Sequence, residues 1–194
     1  MRITGGVLGG RRLVVPKSGV RPTQDRVREA CFSSLGPIIV DARVLDLFAG
    51  SGANGIEAWS RGAGEVVWVE SHPSTYEVMK SNVQSLCGTE SAGACRRGDV
   101  FTLLKQDDGG RVFGAPFDFI LADPPYERHS PTSDAERFLT LLASTNWLKE
   151  DGLLVFEQRA TNPIISHPAW GVVREKKYGE ARLIYYKRAP TGEE

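Results

Sequence analysis

The chain has 194 residues whose 24 basic and 24 acidic side chains give a formal net charge of zero, and this length predicts one domain that buries about 70% of its unfolded surface. No apolar run approaches the length of a membrane span and the polar start does not resemble a signal peptide, so we expect a cytoplasmic protein that contacts no membrane. Three cysteines without C-x-x-C spacing favour packing roles in a reducing compartment, and three scattered histidines predict no metal site.

The amino-terminal segment is basic although the whole chain is neutral. Residues 1–35 hold seven basic side chains against two acids. The basic residues are Arg2, Arg11, Arg12, Lys17, Arg21, Arg26 and Arg28. Arginine predominates, and its planar guanidinium binds phosphate oxygens bidentately, which favours a contact with nucleic acid. A solvated face with salt bridges would have the same composition, so both interpretations stand at this point.

The first elements precede the main sheet. Residues 3–16 predict two short strands joined by a glycine-rich turn. A helix should follow, capped by Thr23 and stopped by Pro37. Its buried face should hold Val27, Ala30, Cys31 and Leu35, with Arg26, Arg28 and Glu29 facing solvent or a ligand. We expect residues 1–40 to be an extension, and residues 41–190 to be the main body, of a single domain.

From residue 43 onward, predicted strands and helices alternate. The predicted strands are 44–48, 66–69, 94–97, 117–122, 153–157, 172–178 and 182–187; the predicted helices are 54–61, 74–86, 100–105 and 134–147, with a polar loop at 88–93. This alternation requires a mostly parallel sheet with helices on both faces. The last two strands meet at Gly179-Glu180 and predict a closing antiparallel hairpin. The predicted fold class is therefore α/β with a mostly parallel seven-stranded sheet.

A glycine-rich loop follows the first strand of this sheet. Gly50, Gly52 and Gly55 have the G-x-G-x-x-G spacing, which lets the backbone approach a ligand closely. Glu70 ends the next strand, where a carboxylate can bind two ribose hydroxyls. Nicotinamide dinucleotides and S-adenosylmethionine both use such features, so the spacing alone leaves the cofactor open.

Two further acids favour S-adenosylmethionine over a dinucleotide. Asp46 lies four residues before the first glycine, and its charge would repel a pyrophosphate but attract an ammonium or a sulfonium. Asp99, after the third strand, can accept a hydrogen bond from an adenine amine. A hydride-transfer enzyme would also need a substrate domain, for which little chain remains. Each acid has a structural alternative: Asp46 would satisfy loop amides, and Glu70 and Asp99 would cap the helices that follow them.

The segment Asp123-Pro124-Pro125-Tyr126 follows an apolar strand, at the carboxyl edge of the sheet where open α/β folds bind ligands. The two prolines lack N–H donors and fix φ, so neighbouring carbonyls remain available as acceptors. Acceptors beside an aromatic ring suit a planar group that carries an amine. The alternative is an acidic strand end followed by an ordinary loop turn.

With both motifs, the chain resembles a class I methyltransferase, with a Rossmann-like fold and an amino-group methylation motif. More closely, it resembles the RsmD-type methyltransferases, which methylate N2 of one guanine in bacterial 16S ribosomal RNA. The residues that carry the resemblance are Arg21–Glu29, Asp46–Ala53, Glu57-Ala58, Ser60–Ala63 and Asp123–Tyr126, together with Arg2–Gly6 and Gly10-Arg11.

This resemblance implies S-adenosylmethionine as the cofactor, S-adenosylhomocysteine as the product and no metal. It assigns catalysis to Asp123, Pro124, Pro125 and Tyr126. The implied cofactor residues are Asp46, Gly50, Ser51, Gly52, Glu70, Asp99 and Val100, with Asp25 and Arg26 closing over the methionine end. The implied RNA contacts are Arg2, Arg11, Arg12, Arg21, Arg28 and Arg128. Residues 1–40 then bind RNA, and residues 41–190 form the catalytic domain.

The expected partner is 16S ribosomal RNA, with an assembling 30S subunit as one form of the substrate, and the expected state is a monomer. An adenine-N6 or cytosine-N4 DNA methyltransferase, or an adenine-N6 RNA methyltransferase, would share the catalytic turn. The DNA enzymes usually carry a target-recognition region that is not visible here. A protein glutamine methyltransferase uses an Asn-Pro-Pro-Tyr variant of the turn. A non-catalytic RNA-binding module that kept the fold is the alternative from another class.

Overall fold

The computed structural model describes residues 1–15, 24–107, 112–125 and 133–190. The chain divides into two compact units, Met1–Val100 and Phe101–Glu194. Seven strands lie within the described residues. No helix in these ranges is both long enough and apolar enough to span a bilayer.

The first unit is built on three parallel strands in the order β3-β2-β1: β1 (Arg43–Leu47), β2 (Glu65–Glu70) and β3 (Cys95–Arg97). Leu45 pairs with Val67, and Trp68 pairs with Cys95. Side chains on both faces of β1 and β2 are buried, as expected for parallel strands that lie between helices. The helices of this unit are α1 (Gln24–Leu35), α2 (Ala53–Ser60), α3 (Pro73–Cys87) and α4 (Thr89–Ala92).

Residues 1–15, called the arm below, form an irregular hairpin in place of the two predicted strands. A single antiparallel bridge between Arg2 and Arg12 joins its two halves, and a 3₁₀ turn occupies Gly6–Leu8. One bridge pair is too few to form a strand ladder, so neither half of the arm is a strand. Gly6 and Gly10, whose φ angles are 72° and 84°, turn the chain between the two halves. The prediction of two strands is therefore wrong, although the chain does reverse direction where the glycines lie.

The helix α1 matches its prediction at the carboxyl end. It ends at Leu35, and Pro37 lies in the following 3₁₀ turn, Gly36–Ile39. Val27 and Cys31 are buried as predicted. The predicted cap, Thr23, lies outside the described residues.

The second unit holds four strands in the order β4-β5-β7-β6: β4 (Phe117–Ala122), β5 (Leu148–Arg159), β6 (Trp170–Tyr178) and β7 (Ala181–Arg188). β4 and β5 are parallel, whereas β7 is antiparallel to both β5 and β6. The hairpin turns at Gly179, whose φ is 60°, so the predicted closing hairpin is confirmed. The helices are α5 (Val100–Gln106), which begins at the boundary between the units, and α6 (Ser133–Ala143).

Two predicted boundaries are wrong. Residues 89–92 form α4 within the predicted loop 88–93. α6 ends at Ala143 and not at residue 147, because the Ser144 and Thr145 N–H groups bond back to Leu141 and Leu142 in a tight turn. The guanidinium of Arg188 donates to the carbonyls of Ala143 and Thr145, which stabilises this early end. β5 can then begin at residue 148, earlier than the predicted 153.

Candidate active site

The loop after β1 has the conformation that its glycines predict. Gly50 and Gly52 have φ angles of 56° and 83°, in the left-handed region that favours glycine. The Ala49 N–H donates to the Val69 carbonyl at 2.9 Å, and the Gly52 N–H donates to the Ala49 carbonyl at 2.7 Å. The loop is therefore a tight turn held against the end of β2.

Gly55 is required by packing. A Cβ atom there would lie 2.1 Å from Nε1 of the fully buried Trp68. That indole N–H donates to the Gly52 carbonyl at 3.3 Å. The third glycine of the motif thus lets α2 pack closely on β2, the role such a glycine has in Rossmann-type folds.

Asp46 lies beneath this loop, since the residue is only 1% exposed. Its Oδ2 accepts a hydrogen bond from the Gly55 N–H at 2.8 Å, while its buried Oδ1 has no hydrogen-bond partner among the described residues. Burial raises the pKa of the carboxyl to about 8; the Gly55 hydrogen bond opposes this shift, Glu70 adds to it, and Arg28 opposes it. The alternative role of Asp46, as an acceptor for backbone amides, is met in part, because it binds one N–H in the first turn of α2, directly after the loop.

Glu70 connects the loop to the start of α3. Its Oε2 accepts from the Gly50 N–H at 2.9 Å, and its Oε1 accepts from the His72 N–H at 2.7 Å. His72 is the residue that precedes α3, so Glu70 does bond at that helix end, as its structural alternative expected. Each carboxylate oxygen can accept more than one hydrogen bond, which leaves capacity for ribose hydroxyls.

The remaining predicted cofactor residues in this region differ in exposure. Ser51 is 8% exposed, and its Oγ donates to the Met1 sulfur at 3.5 Å. Asp99 is exposed two residues after the end of β3, whereas Val100 is buried as the first residue of α5. Asp99 therefore lies just beyond the carboxyl end of β3, whereas Glu70 is the last residue of β2.

The predicted turn Asp123-Pro124-Pro125 directly follows β4 in the second unit. Asp123 and Pro124 are half-buried, and Pro125 is exposed. Tyr126 and Arg128 lie outside the described residues. No group of three or more His, Cys, Asp or Glu side chains able to hold a metal ion lies within residues 1–15, 24–107, 112–125 and 133–190.

Of the predicted RNA contacts, Arg2, Arg11 and Arg12 are exposed on the arm, and Arg21 lies outside the described residues. The prediction that Arg28 faces solvent or a ligand is wrong, because this residue is only 4% exposed. Its guanidinium donates to Asp25 at 2.8 Å, to Glu57 at 3.3 Å and to the Arg2 carbonyl. Arg28 therefore holds the arm from inside.

Asp25 and Arg26, the two residues predicted to close over the methionine end of the cofactor, differ in exposure. Asp25 is half-buried, because its second oxygen accepts from the Arg2 N–H at 3.3 Å while the first binds Arg28. Arg26 is exposed on the same helix. Of the two, Arg26 has the side chain that solvent or a ligand can reach.

Sequence reasoning missed Glu57, which is the centre of a buried ionic network. Its residue exposure is 0%, and its carboxylate accepts from both Arg28 and Arg61, the latter at 2.7 Å. It also accepts from the backbone N–H and the hydroxyl of Thr4, both at 2.8 Å. The signal was an acid flanked by apolar residues in α2.

Sequence reasoning also missed Asn82 on α3. Met79, Asn82 and Val83 are the buried residues of this helix, so an amide occupies a position of helical spacing that is otherwise apolar. Its partners are the Val14 backbone in the arm and the Ser51 carbonyl in the loop.

Known proteins resemble the whole chain. Ribosomal RNA small subunit methyltransferase D of Escherichia coli K12 is 37% identical over 197 residues, covering 100% of this chain and 92% of the relative. The protein of the same name from Haemophilus influenzae is 36% identical over 189 residues, covering 96% and 93%. A solved Escherichia coli structure that carries the name methyltransferase yhhF is 34% identical, with a TM-score of 0.81 and 97% coverage of both chains. SMU.776, solved in complex with SAH, is 16% identical with a TM-score of 0.65, covers 87% of this chain and 50% of its own, and supports the fold alone.

These similarities and the strand order define a class I S-adenosylmethionine-dependent methyltransferase fold, α/β with a mostly parallel seven-stranded sheet. The profile of the family described as Conserved hypothetical protein 95 matches residues 1–187. The chain belongs to this family, which includes the RsmD-type methyltransferases. The predicted fold class and the predicted resemblance are confirmed.

Proposed function

We propose that this chain transfers a methyl group from S-adenosylmethionine to the exocyclic N2 of a guanine in small-subunit ribosomal RNA. The observation that carries the proposal is full-length similarity to two proteins named Ribosomal RNA small subunit methyltransferase D. In this proposal the glycine loop after β1 binds the cofactor, and the Asp-Pro-Pro turn after β4 orients the amine.

The first unit fits the charges of this cofactor. Because Asp46 Oδ1 has no hydrogen-bond partner among the described residues, a cation at the loop, such as an ammonium or a sulfonium, would favour the charged carboxylate and be stabilised by it, whereas a phosphate would gain no such attraction. Glu70 retains acceptor capacity for ribose hydroxyls, and Asp99 at the end of β3 suits the adenine amine. The left-handed Gly50 and Gly52 permit the close backbone approach that a nucleoside requires.

The catalytic turn would orient the guanine amine. S-adenosylmethionine supplies the methyl group as an electrophilic carbon. In this proposal the Asp123 carboxylate and the Pro124 carbonyl accept the two N–H groups of the amine, so that the nitrogen lone pair turns toward that carbon. Orientation of this kind can contribute as much as about 7–11 kcal/mol. Asp123 need not be a strong base, because the amine becomes acidic only after the methyl group is attached.

Tyr126 would hold the base in place. Stacking of a base on an aromatic ring contributes about 1–3 kcal/mol, and extruding a guanine from a stacked helix costs a few kcal/mol. The stacking energy roughly offsets the cost of extrusion, so a flipped guanine can be held without another large favourable contact. Replacement of Tyr126 by Ala should therefore raise the KM for RNA more than it changes cofactor affinity.

Replacement of Asp123 tests the chemistry. The substrate is 16S ribosomal RNA from cells that lack the protein, and the product is identified by digestion to nucleosides and mass spectrometry. Wild-type protein should form N2-methylguanosine, whereas Asp123→Ala should form none yet bind S-adenosylhomocysteine with unchanged affinity. The control is Asp118→Ala, which removes an aspartate of β4 that pairs with Lys149 at 2.6 Å, and it should remain active.

The same assay separates the alternatives. Methylated adenine or cytosine would replace the proposal by the adenine-N6 or cytosine-N4 activity. Tight RNA binding without any methylated nucleoside would favour a non-catalytic RNA-binding module. Full activity of Asp123→Ala would exclude the mechanism while leaving the substrate intact.

The arm is the proposed RNA contact, through the exposed Arg2, Arg11 and Arg12, joined by Arg21 and Arg128. Each phosphate contact on single-stranded RNA contributes about 0.7 to the slope of log affinity against log salt. The double variant Arg11→Ala/Arg12→Ala should therefore lower that slope by about 1.4. Lys176→Ala/Lys177→Ala removes the same charge from exposed positions of β6 and should leave the slope unchanged. Equal slopes in wild type and the arm variant would contradict the contact.

We also propose that the protein acts as a monomer on an assembling 30S subunit. With zero net charge, the protein has only a local basic patch to attract RNA, which favours a target presented by ribosomal proteins. Methylation of partly assembled 30S particles should be faster than methylation of protein-free 16S ribosomal RNA. Light scattering should give a mass near 21.3 kDa. Faster methylation of the free RNA, or twice this mass, would contradict the respective part.

A further inference from the structure

Asn82 is a polar residue on the otherwise apolar, buried face of α3, so its presence there requires an explanation. It is 4% exposed and lies beside Met79 and Val83 on the buried face of α3. A buried amide is destabilising unless its polar atoms are hydrogen-bonded. The partners of Asn82 therefore indicate its role.

Asn82 bonds to two segments that are far apart in the chain. Its Nδ2 donates to the Val14 carbonyl at 2.8 Å and to the Ser51 carbonyl at 2.9 Å. Its Oδ1 accepts from the Val14 N–H at 3.1 Å. Both amide hydrogens are used, and the two bonds to Val14 hold that residue in one orientation. One side chain thus joins the arm to the cofactor loop.

The other arm anchors lead to α2. Ser60 Oγ donates to the Gly5 carbonyl at 2.6 Å and accepts from the Leu8 N–H at 2.9 Å. Glu57 holds Thr4 in the same way. Ser60 therefore offers a matched comparison for Asn82, because it also makes two hydrogen bonds to the arm backbone but lies at the far end of α2 from the loop.

We propose that Asn82 is a positioning residue that couples RNA binding at the arm to cofactor binding at the loop. The proposal rests on the proposed function, since it needs both ligands. A cofactor that orders the loop holds the Ser51 carbonyl in place, and Asn82 passes this order to Val14 and so to Arg12 and Arg11, which lie two and three residues earlier in the arm. The second ligand then binds to a site that is already ordered, and the coupling is reciprocal.

The test is a binding cycle with S-adenosylhomocysteine and 16S ribosomal RNA. The affinity of wild type for the RNA should rise at least about 5-fold when S-adenosylhomocysteine is saturating, the lower end of usual coupling factors. Asn82→Ala should reduce this ratio to about 1. Ser60→Ala should weaken RNA binding but keep the wild-type ratio. A purely structural effect of Asn82 would lower the affinities without changing their ratio.

A second pair of variants leaves Asn82 and the loop in place. Val14→Pro removes the backbone N–H that Asn82 Oδ1 accepts and should lower the ratio. Val14→Ala keeps both backbone groups and trims a side chain that is 64% exposed, so it should keep the wild-type ratio. If Asn82→Ala does not fold, the comparison of Val14→Pro with Val14→Ala tests the coupling instead.

The inference is overturned if S-adenosylhomocysteine does not change the RNA affinity of the wild-type protein. It is also overturned if Asn82→Ala and Val14→Pro both keep the same affinity ratio as wild type. Methyl transfer by the wild-type protein in parallel reactions separates this from failure of the proposed function. An active enzyme without coupling refutes only the role of Asn82. A wild-type protein that methylates neither 16S ribosomal RNA nor partly assembled 30S particles refutes the proposed function, whatever the ratio is.

Discussion

Binding of the cofactor should release a proton from Asp46. Burial raises the pKa of this carboxyl to about 8, so the group is mainly neutral at pH 7 before the cofactor binds. A cation at the loop favours the charged form and lowers the pKa again. The proton that leaves Asp46 then appears in the buffer, where it can be counted.

The expected count follows from the pKa. A carboxyl with a pKa of about 8 is about 0.9 protonated at pH 7 and about 0.1 protonated at pH 9. If the bound cofactor returns the pKa to near its ordinary value of 3.8, binding releases about 0.9 proton at pH 7 and about 0.1 at pH 9.

The assay is titration calorimetry with S-adenosylmethionine, which carries both an ammonium and a sulfonium, in buffers of different ionisation enthalpy. The cofactor amine also titrates, so the informative quantity is the difference between wild type and Asp46→Asn, which cannot release this proton. Asp41→Asn removes an exposed aspartate of the same unit and should match wild type. Equal proton release from wild type and Asp46→Asn at pH 7 would refute the argument.

The same carboxyl makes stability depend on pH. Its folded-state pKa lies above its unfolded value of 3.8, so the folded state binds more protons between pH 4 and 8. The unfolding free energy without cofactor should therefore fall as pH rises through this window, by roughly 1 kcal/mol per pH unit from this group. Asp46→Asn should remove that part of the slope in urea unfolding curves, and an unchanged slope would contradict the buried neutral carboxyl.

Three further changes have sharp outcomes. Glu57→Ala removes a buried carboxylate that binds both Arg28 and Arg61 and leaves Arg28 with Asp25, so the unfolding free energy should fall by about 3–5 kcal/mol. A lower urea midpoint at constant m measures this, and a loss below about 1 kcal/mol would contradict it. Glu70→Ala should weaken S-adenosylhomocysteine binding about tenfold or more in calorimetry, and unchanged affinity would remove this residue from the site. Gly6→Ala would put a Cβ 1.8 Å from the Ser60 carbonyl oxygen, whereas the Cβ of Gly10→Ala meets nothing within 4 Å. In thermal unfolding, Gly10→Ala should lose about 1–2 kcal/mol of stability and Gly6→Ala considerably more. Equal losses would contradict the close approach of Gly6 to Ser60.

The sheet of the second unit shows where sequence patterns succeed. β4 has the predicted bounds, because a run of buried residues between turn signals is a local property. The end of α6 depended on Arg188, which lies 45 residues further along the chain than Ala143. No local pattern carries that information, so the helix was extended and β5 was shortened.

In the candidate site, too, features with a local sequence pattern could be predicted and those that depend on distant residues could not. The glycine loop and the strand-end acids Asp46 and Glu70 could be located from their spacing, because parallel strands place their carboxyl ends at one edge. The burial of Arg28 could not, since helical periodicity placed it on the polar face of α1. Its partner Glu57 lies 29 residues away on α2. Polar residues that are buried through such long-range pairs look like surface residues in a sequence.

The network around Glu57 bears on where the chain can be cut. A fragment that begins at residue 41 would keep all seven described strands but lose Thr4 and Arg28, two of the residues that donate to this fully buried carboxylate. The charge would keep only Arg61, and Asn82 would lose both bonds to Val14. Residues 1–40 thus supply hydrogen-bond partners to buried polar groups as well as an exposed surface. We expect a fragment without them to aggregate rather than to fold as a smaller enzyme.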